Sequence, residues 1–320
     1  MKKILITGGC GFIGSHIVEY FHNKYEKSKI IVFDKITYAA SLKNLEHIKK
    51  SKRLNIIRND ILNYKILKEA TMNCDLVIHA AAESHVDNSY QLNDEFINTN
   101  VLGTKNVLQA CKENHVKKII HVSTDEIYGE IFRGSFNENN RFNPSNPYSS
   151  SKAAAEMIVN GYILSYKLPV IIVRANNIFG TRQHPEKLIA GCCWSFIKKK
   201  KFTVHGKGLQ KRTFLYVKDF CEALDILVRK GVKFNSYNIG STFEYKNIEI
   251  IKIIARENKL DFSKYITYIK DRPFNDFRYS VNFNKIKRLG WKPKSKVEDK
   301  INEINKWYKL NLRRFKKRFE

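Results

Sequence analysis

The stretch "KILITGGCGFIGSH", residues 3–16, decides the fold of this chain. An apolar run is followed by Gly8, Gly11 and Gly14, and a helical pattern begins directly after them. Glycine every third residue between a strand and a helix permits a tight turn, close approach of backbone to a pyrophosphate and close helix packing. The stretch therefore predicts a dinucleotide site at the start of a strand–helix–strand unit.

Further apolar runs follow with helical patterns between them, notably over 99–114 and 148–167. The runs are continuous, which is typical of parallel strands buried on both faces. The sequence predicts an α/β fold, a doubly wound parallel (Rossmann) sheet over 1–176. A smaller α+β lobe follows over 177–320, with one return to the sheet near 213–230. The predicted strands are 2–8, 29–34, 54–60, 74–81, 117–123 and 168–176.

Composition excludes several classes of protein. A hydrophobic fraction of 43% with 12% aromatic residues is too high for a disordered chain, and no apolar run is long enough to span a membrane. The N-terminus carries no signal peptide, and six scattered cysteines form neither a metal motif nor a disulfide framework. We therefore expect a soluble, cytoplasmic protein without a metal.

The net charge of +27 is the unusual global property of the chain. Such a field attracts polyanions, including nucleic acid, and also steers a diphosphate substrate. The basic runs at 197–202 and 312–320 are predicted to be solvated helix ends. Binding of nucleic acid is therefore the weaker interpretation, although it stays open as an alternative.

Asp34 ends the second predicted strand about twenty residues after the glycine turn. A carboxylate at this place suits the ribose hydroxyls of NAD and repels the extra phosphate of NADP. Residues 59–60 and 80–84 follow the third and fourth strands, at the edge of the sheet where ligands bind in open α/β folds. The cofactor is predicted to be NAD.

The fifth strand is followed by "STDEIYG", residues 123–129, and then by Tyr148 and Lys152 at the start of a helix. Four residues apart on a helix, the phenol and the ammonium share one face, and the ammonium is expected to lower the pKa of the phenol. The same spacing at Tyr20, Tyr25 and Tyr64 lies on ordinary helices. Because neighbours on a strand point to opposite faces, Asp125 and Glu126 can converge only if the strand ends at 123 or 124.

These motifs resemble the extended short-chain dehydrogenase/reductase family and, more narrowly, the nucleotide-diphosphoglucose 4,6-dehydratases. The resemblance covers nearly the whole chain in the family's order. Its blocks are "AAAESHVDNS", "TNVLGT", "STDEIYG", "PYSSSKAAAE", "HPEKLI", "RTFLYVKD", "YNIG" and "DRPFNDFRY".

The resemblance implies a role for each catalytic residue. Tyr148 removes the C4 hydroxyl proton while NAD+ takes the hydride, Thr124 hydrogen-bonds the C4 oxygen, and Lys152 supports Tyr148 and the nicotinamide ribose. Glu126 then takes the C5 proton, Asp125 protonates the departing C6 hydroxyl, and the hydride returns to C6. Two neighbouring acids can act in this way only if their surroundings separate their pKa values.

The resemblance also implies the binding residues, a homodimer formed through the helices after Thr99 and Tyr148, and a deoxysugar (rhamnose-type) pathway. For the cofactor these residues are Gly8, Gly11, Phe12, Ile13, Gly14, Asp34, Thr37, Asp60, Ile61, Ala80, Ala81, Ala82, Glu83, Ser84, Thr99, Tyr148 and Lys152. For the nucleotide sugar they are Ser84, Thr124, Asn177, Lys187, Leu188, Arg212, Asn238, Asp271, Arg272 and Asn275.

Some motifs depart from the common bacterial pattern. "NNIFGTRQ", "RTFLYV" and "RPFND" look more like the eukaryotic branch, so UDP-glucose is slightly favoured over dTDP-glucose as the substrate. The alternatives within the family are a nucleotide-sugar 4-epimerase or decarboxylase, but epimerases lack the acid pair and decarboxylases typically carry Ser before the Glu. A non-catalytic NAD-binding or nucleic-acid-binding protein is the alternative of another class.

Overall fold

The computed structural model describes residues 1–271 and 274–318. The strands are β1 (Lys3–Thr7), β2 (Lys29–Asp34), β3 (Leu54–Arg58), β4 (Leu76–His79), β5 (Lys118–Thr124), β6 (Val170–Ala175), β7 (Asn177–Phe179), β8 (Phe202–His205), β9 (Lys211–Tyr216), β10 (Asn235–Ile239), β11 (Glu244–Lys246) and β12 (Ile266–Ile269). The α-helices are α1 (Phe12–Lys24), α2 (Tyr64–Thr71), α3 (Val86–Ser89), α4 (Asn93–Phe96), α5 (Gly103–Glu113), α6 (Pro147–Tyr166), α7 (Leu188–Ile197), α8 (Val217–Lys230), α9 (Asn247–Glu257), α10 (Asn284–Lys287) and α11 (Glu298–Asn311). Short 3₁₀ segments cover Leu42–Leu45, Asp125–Tyr128, Phe262–Lys264 and Leu312–Arg318, and a π-helical segment covers Ile97–Leu102.

The main sheet has seven strands in the order β10-β6-β5-β4-β1-β2-β3, and all neighbours are parallel. Successive residues of β1 are fully buried on opposite faces: Ile4 and Ile6 pack with α1 and α8, while Leu5 packs with α2, α5 and α6. The strands are continuously apolar because a layer of helices covers each face of the sheet, as the sequence predicts. The predicted Rossmann fold is confirmed.

The predicted return to the sheet near 213–230 is wrong in its bounds. Residues 213–216 belong to β9, which pairs with β7 and β11 in the small sheet of the lobe. Helix α8 packs against α1 instead, and the strand that joins the main sheet is β10, beside β6. The segment "YNIG" lies mostly in β10, where Tyr237 and Ile239 are buried at the sheet edge.

The rest of the lobe packs around a core of its own. Helices α7, α9 and α11 enclose Trp194, Ile251 and Tyr308, and β8 pairs with β12 at the far side. None of the helices in the described ranges has both the length and the apolar composition needed to cross a bilayer. The lobe lies over the carboxyl ends of the main strands, where a cavity separates it from the glycine turn.

Candidate active site

A cavity of about 780 Å³ runs from the glycine turn, past the end of β5, into the lobe. Every predicted cofactor residue lines it. Of the predicted catalytic residues, Thr124, Glu126, Tyr148 and Lys152 line it, and so do Ser84, Asn177, Lys187, Leu188, Arg212 and Asn275 from the predicted substrate set. The fold thus brings together residues that are up to 267 positions apart, from Gly8 to Asn275.

The glycine turn forms a cradle that only glycine permits. Gly8 has φ +69°, and a Cβ there would lie 2.7 Å from the Ala81 Cα. A Cβ on Gly14 would lie 2.0 Å from the Gly8 carbonyl oxygen. Helix α1 begins at Phe12 directly behind this turn, so the unpaired N–H groups of its first turn are available to an anion. The cradle fits the pyrophosphate of a dinucleotide.

Asp34, the last residue of β2, is held beside this cradle. Its carboxylate accepts hydrogen bonds from the backbone N–H groups of Cys10 (2.8 Å) and Ile36 (2.7 Å). Burial raises the pKa of Asp34, and these backbone hydrogen bonds oppose the rise. The side chain is therefore oriented by backbone and lines the cavity where the ribose of a dinucleotide would follow the pyrophosphate.

The acid pair lies on a turn and not on a strand, as convergence requires. Strand β5 ends at Thr124, and a 3₁₀ turn over Asp125–Tyr128 follows. The Thr124 hydroxyl caps this turn by accepting a hydrogen bond from the Glu126 N–H (3.2 Å). Because the strand stops here, the strict alternation of side chains also stops.

Asp125 and Glu126 have different surroundings. Asp125 is 3% exposed and lies behind the cavity wall, where it accepts a hydrogen bond from Asn176 Nδ2 (2.5 Å). Burial, and then the charge of Glu126, raises the pKa of Asp125 to about 7. Burial also raises the pKa of Glu126, but the cations Lys187 and Arg212 oppose it. Asp125 therefore keeps its proton to a higher pH than an exposed carboxyl does, while Lys187 and Arg212 favour the ionised form of Glu126.

Tyr148 and Lys152 are positioned by the start of α6. Asn146 caps the helix, and its side chain accepts from the Ser149 N–H (2.9 Å). Tyr148, 8% exposed, is hydrogen-bonded to the Thr124 hydroxyl, which ties the phenol to the acid-pair turn. Burial raises the pKa of Tyr148 above its usual value, and the carboxylate of Glu126 adds to the rise.

The expectation that Lys152 lowers the pKa of Tyr148 is wrong for this structure. Lys152 Nζ donates to the Val122 carbonyl oxygen (2.8 Å), so the ammonium is held by the end of β5. Burial lowers the pKa of Lys152 to about 8, and the carboxylate of Glu156 opposes this change. The group that lowers the pKa of Tyr148 is the hydroxyl of Thr124.

Two cations stand on the lobe side of the cavity. Lys187 Nζ donates to the Ser84 carbonyl oxygen (2.7 Å), which joins the lobe to the loop after β4. The Arg212 guanidinium lies 4.3 Å from the Tyr279 ring centroid and donates to the Asp276 carbonyl oxygen (2.8 Å). Lys187 uses one of its three N–H donors in this contact and can offer the others to an anion. Nη1 and Nη2 of Arg212 already donate to the carbonyl oxygens of Lys211, Phe277 and Asp276, so Arg212 offers an anion mainly its positive charge.

Three predicted substrate residues are not placed at the cavity. Asn238 is fully buried on β10, where its amide donates to the carbonyl oxygens of Phe136 and Asn282 and accepts from the Tyr128 hydroxyl. The structure therefore does not bring Asn238 to the cavity, and its polar atoms are used inside the sheet edge. Asp271 accepts hydrogen bonds from Gln210 and Asn275 outside the cavity wall. Arg272 lies outside the described residues.

Several cavity residues were not predicted. Asn146 stands directly before Pro147 and is a helix cap, and Tyr279 ends the quoted motif "DRPFNDFRY", so both carried a local signal. Trp194, Phe202 and Phe214 form an aromatic wall in the lobe, and no local pattern distinguishes them from core residues. Within the described ranges, no group of three His, Cys, Asp or Glu side chains could hold a metal.

Comparison with known proteins gives the same picture. The family model described as GDP-mannose 4,6 dehydratase matches residues 5–304. A human dTDP-D-glucose 4,6-dehydratase is 41% identical, over 98% of this chain and 92% of that protein. An Arabidopsis thaliana trifunctional enzyme whose name begins with UDP-glucose 4,6-dehydratase is 39% identical, over 97% of this chain and 48% of its own length.

Among solved structures, a dTDP-glucose 4,6-dehydratase from Streptomyces venezuelae with NAD bound superposes with a TM-score of 0.95 at 34% identity. The superposition covers 98% of this chain and 99% of that one. The family match spans nearly the whole chain, and the relatives exceed 30% identity over almost all of it. The chain therefore belongs to the GDP-mannose 4,6 dehydratase family.

Proposed function

We propose that this chain is an NAD-dependent nucleotide-sugar 4,6-dehydratase, a hydro-lyase that converts UDP-glucose or dTDP-glucose to the 4-keto-6-deoxyglucose nucleotide and water. The observation that carries the proposal is the turn after β5. It holds a carboxyl whose pKa is raised to about 7 next to a carboxylate that faces two cations, with Tyr148 hydrogen-bonded to the same turn. Elimination of water needs such an acid and base side by side.

NAD fits the first half of the cavity. The glycine cradle would take the pyrophosphate, Asp34 would accept hydrogen bonds from the adenosine ribose, and Lys152 would support the nicotinamide ribose. Asp34 favours NAD over NADP, because its carboxylate would repel a 2′-phosphate. When bound, the cofactor supplies an acceptor for the C4 hydride and a donor for C6.

The chain's own residues carry the protons. Tyr148 Oη, once its own proton has been released, would take the C4 hydroxyl proton, and the hydroxyl of Thr124, which is hydrogen-bonded to Tyr148, would orient the C4 oxygen. The resulting ketone acidifies C5, and Glu126 takes the C5 proton. Asp125, whose Oδ1 accepts a hydrogen bond from Thr124 Oγ1 (3.4 Å) just behind the cavity wall, would supply its proton to the C6 hydroxyl, which leaves as water.

The lobe would hold the nucleotide diphosphate. Arg212 would attract it with the charge of its guanidinium, and Lys187 would add a point charge. The aromatic side chains Trp194, Phe202 and Phe214 offer flat apolar surface to a base. Uracil and thymine differ by one methyl group, which a pocket distinguishes by only about 1–3 kcal/mol. The relative named for dTDP-D-glucose and the relative named for UDP-glucose are 41% and 39% identical to this chain, so the preference for uracil or thymine has to be measured.

We also propose a homodimer. Ile97 and Leu102 of the π-helical segment and Met157, Leu164 and Tyr166 of α6 are apolar side chains 47–70% exposed. Apolar residues gathered on two neighbouring helices mark a protein–protein interface more often than a free surface.

All six cysteines, which lie in the described part of the chain, are buried free thiols, and this supports the proposal of a cytoplasmic location.

The experiment is incubation with UDP-glucose and dTDP-glucose in parallel, with analysis of the product for the 4-keto-6-deoxy sugar. Loss of water from either sugar supports the proposal, and the ratio of kcat/KM values gives the base preference. If purified enzyme carries NAD but neither sugar loses water, the dehydratase proposal fails. Formation of the galactose epimer without water loss would favour the sibling epimerase function.

A further inference from the structure

A buried ion pair lies behind the active site, and the proposed reaction does not use it. Glu156 of α6 is fully buried, and Arg174 of β6 is 4% exposed. Neither side chain lines the cavity. Burying two charges costs free energy that well-packed apolar residues would avoid, so a pair at this place calls for an explanation beyond stability.

The pair is held by a closed set of contacts. Arg174 Nε donates to both Glu156 oxygens at 2.9 and 3.2 Å, and its Nη2 donates to Oε1 as well. The remaining guanidinium nitrogen, Nη1, donates to the Tyr128 hydroxyl and to the Glu138 carbonyl oxygen (2.8 Å). The rings of Tyr128 and Phe142 cover the guanidinium, with centroids at 5.1 and 4.9 Å. Water is therefore kept from the pair, and its field is weakly screened.

The enclosure continues to the turn that carries the acid pair. Tyr128 is the last residue of that turn, and its hydroxyl donates to Asn238 Oδ1 (2.9 Å). This is the contact that takes Asn238 away from the cavity. The carboxylate of Glu156 is thereby fixed between the catalytic helix and β6.

Glu156 follows Lys152 by four residues on α6, so the two side chains share one face of the helix at about 5 to 6 Å between Cβ atoms. Lys152 also faces His79 of β4 and His121 of β5. Burial and the nearby ammonium lower the pKa of both rings, so both stay neutral. The carboxyl groups of Glu126 and Asp125 raise the pKa of Tyr148. Glu156 is the carboxylate that opposes the loss of charge on Lys152.

We propose that Glu156, fixed by Arg174, is a positioning residue that keeps Lys152 charged during the reaction. This inference rests on the proposed function, in which a charged Lys152 supports the nicotinamide ribose. Lysine at this depth tends to lose its proton, because burial favours the neutral amine. A carboxylate one helical turn away, shielded from water by Tyr128 and Phe142, reverses part of that tendency.

The test compares Glu156→Gln with wild type by the pH dependence of kcat for dehydration. Removing the carboxylate lowers the pKa of Lys152, so the alkaline limb of the profile should move to lower pH by about one unit. Glu156→Asp keeps the charge and should restore the limb to near its wild-type position. If Glu156→Gln does not fold, the double variant Glu156→Gln/Arg174→Gln leaves no unpaired buried charge, and it is compared with Arg174→Gln alone, so that loss of the carboxylate is again the one difference.

Asp225→Asn is the matched control. Asp225 of α8 is 1% exposed, accepts from the Tyr25 hydroxyl (2.6 Å) and pairs with Arg229 (2.9 Å), but it does not line the cavity. Its loss should lower thermal stability, because a buried carboxylate that Tyr25 and Arg229 contact is removed, and should leave the pH profile unchanged. A purely structural role of Glu156 predicts the same behaviour for both variants.

The outcomes separate the two proposals. If the alkaline limb of the kcat profile moves to lower pH in Glu156→Gln but not in Asp225→Asn, the inference is supported. Active wild-type enzyme with an undisplaced limb in Glu156→Gln overturns it, whatever the loss of stability. Wild-type enzyme that dehydrates neither sugar would remove the proposed function, and this inference with it.

Discussion

The substitution Asp125→Asn tests the electrostatics of the site most directly. It replaces the buried carboxyl by an amide of the same shape, whose oxygen can still accept the hydrogen bond from Asn176 Nδ2. The amide can neither ionise nor donate an acid proton. The variant should therefore change the pH dependence of stability and the course of the reaction together, for one physical reason.

The magnitude follows from the pKa of Asp125, which rises from 3.8 to about 7 on folding. Because the folded state holds the proton more tightly, the associated stabilisation is complete below pH 3.8 and is lost as the pH rises to about 7. From about pH 5 to the folded pKa of about 7, the wild-type protein loses about 3 kcal/mol of its free energy of unfolding through this one carboxyl. Relative to wild type, Asp125→Asn should gain about that much stability between about pH 5 and about pH 8.

The assay is urea unfolding of both proteins at the two pH values. Asp75→Asn is the control, because hydrogen bonds from Lys117 and from the Lys2 backbone lower the pKa of Asp75 to about 2. A lowered pKa gives stability that is present throughout this pH range, so the effect of Asp75→Asn should be equal at both values. If Asp125→Asn gains nothing on going to the higher pH, the carboxyl is not protonated in the folded state and the reasoning fails.

The catalytic result is the second readout. The variant should still oxidise C4 and accumulate reduced nicotinamide, detected by its near-ultraviolet absorbance, because that step needs Tyr148. Elimination should slow by about 10²–10⁴-fold, the usual contribution of a general acid. Full dehydration by Asp125→Asn would refute the role assigned to the carboxyl.

Three further predictions concern the cofactor site and Tyr148, the proposed catalytic base. Gly14→Ala should abolish NAD binding, measured by calorimetry, because its Cβ would meet the Gly8 oxygen at 2.0 Å. Gly161→Ala, on α6 with open space around the Cβ, should instead stabilise the fold by about 0.5–1 kcal/mol. Tyr148→Phe should retain nucleotide-sugar binding and lose at least about 10²-fold in oxidation of C4, and normal turnover would exclude Tyr148 as the base. Asp34→Asn should narrow the preference for NAD over NADP in competition binding, and an unchanged ratio would contradict the role of the carboxylate.

Much of the site was predictable because its residues sit in local motifs. The glycine spacing, the carboxylate at the end of β2 and the pair Tyr148 and Lys152 can each be recognised within a few residues of sequence. Even the end of β5 at Thr124 followed from local reasoning, since two acids cannot converge from one regular strand. Such features are encoded within one strand, turn or helix.

What failed depends on contacts between distant segments. Asn238 read as a ligand from its motif, but β10 joins the main sheet and Tyr128, 110 residues earlier, takes its side chain. The ammonium of Lys152 is likewise directed by the Val122 carbonyl oxygen and not by its helix neighbour. No spacing along the chain reveals which of two partners a side chain meets.

The sequence by itself determined the Rossmann sheet, the dinucleotide turn and the identity of the acid pair, because periodicity and local turn chemistry are written in neighbouring residues. The resemblance assigned the acid role to Asp125, and only the tertiary structure supplies a physical basis for that assignment. Desolvation at the end of β5 raises the pKa of Asp125, whereas Lys187, which the lobe brings to the side of Glu126, opposes the rise at Glu126. Desolvation and long-range charge are properties of the assembled fold, so they determine the pKa values of the two acids only in the folded protein.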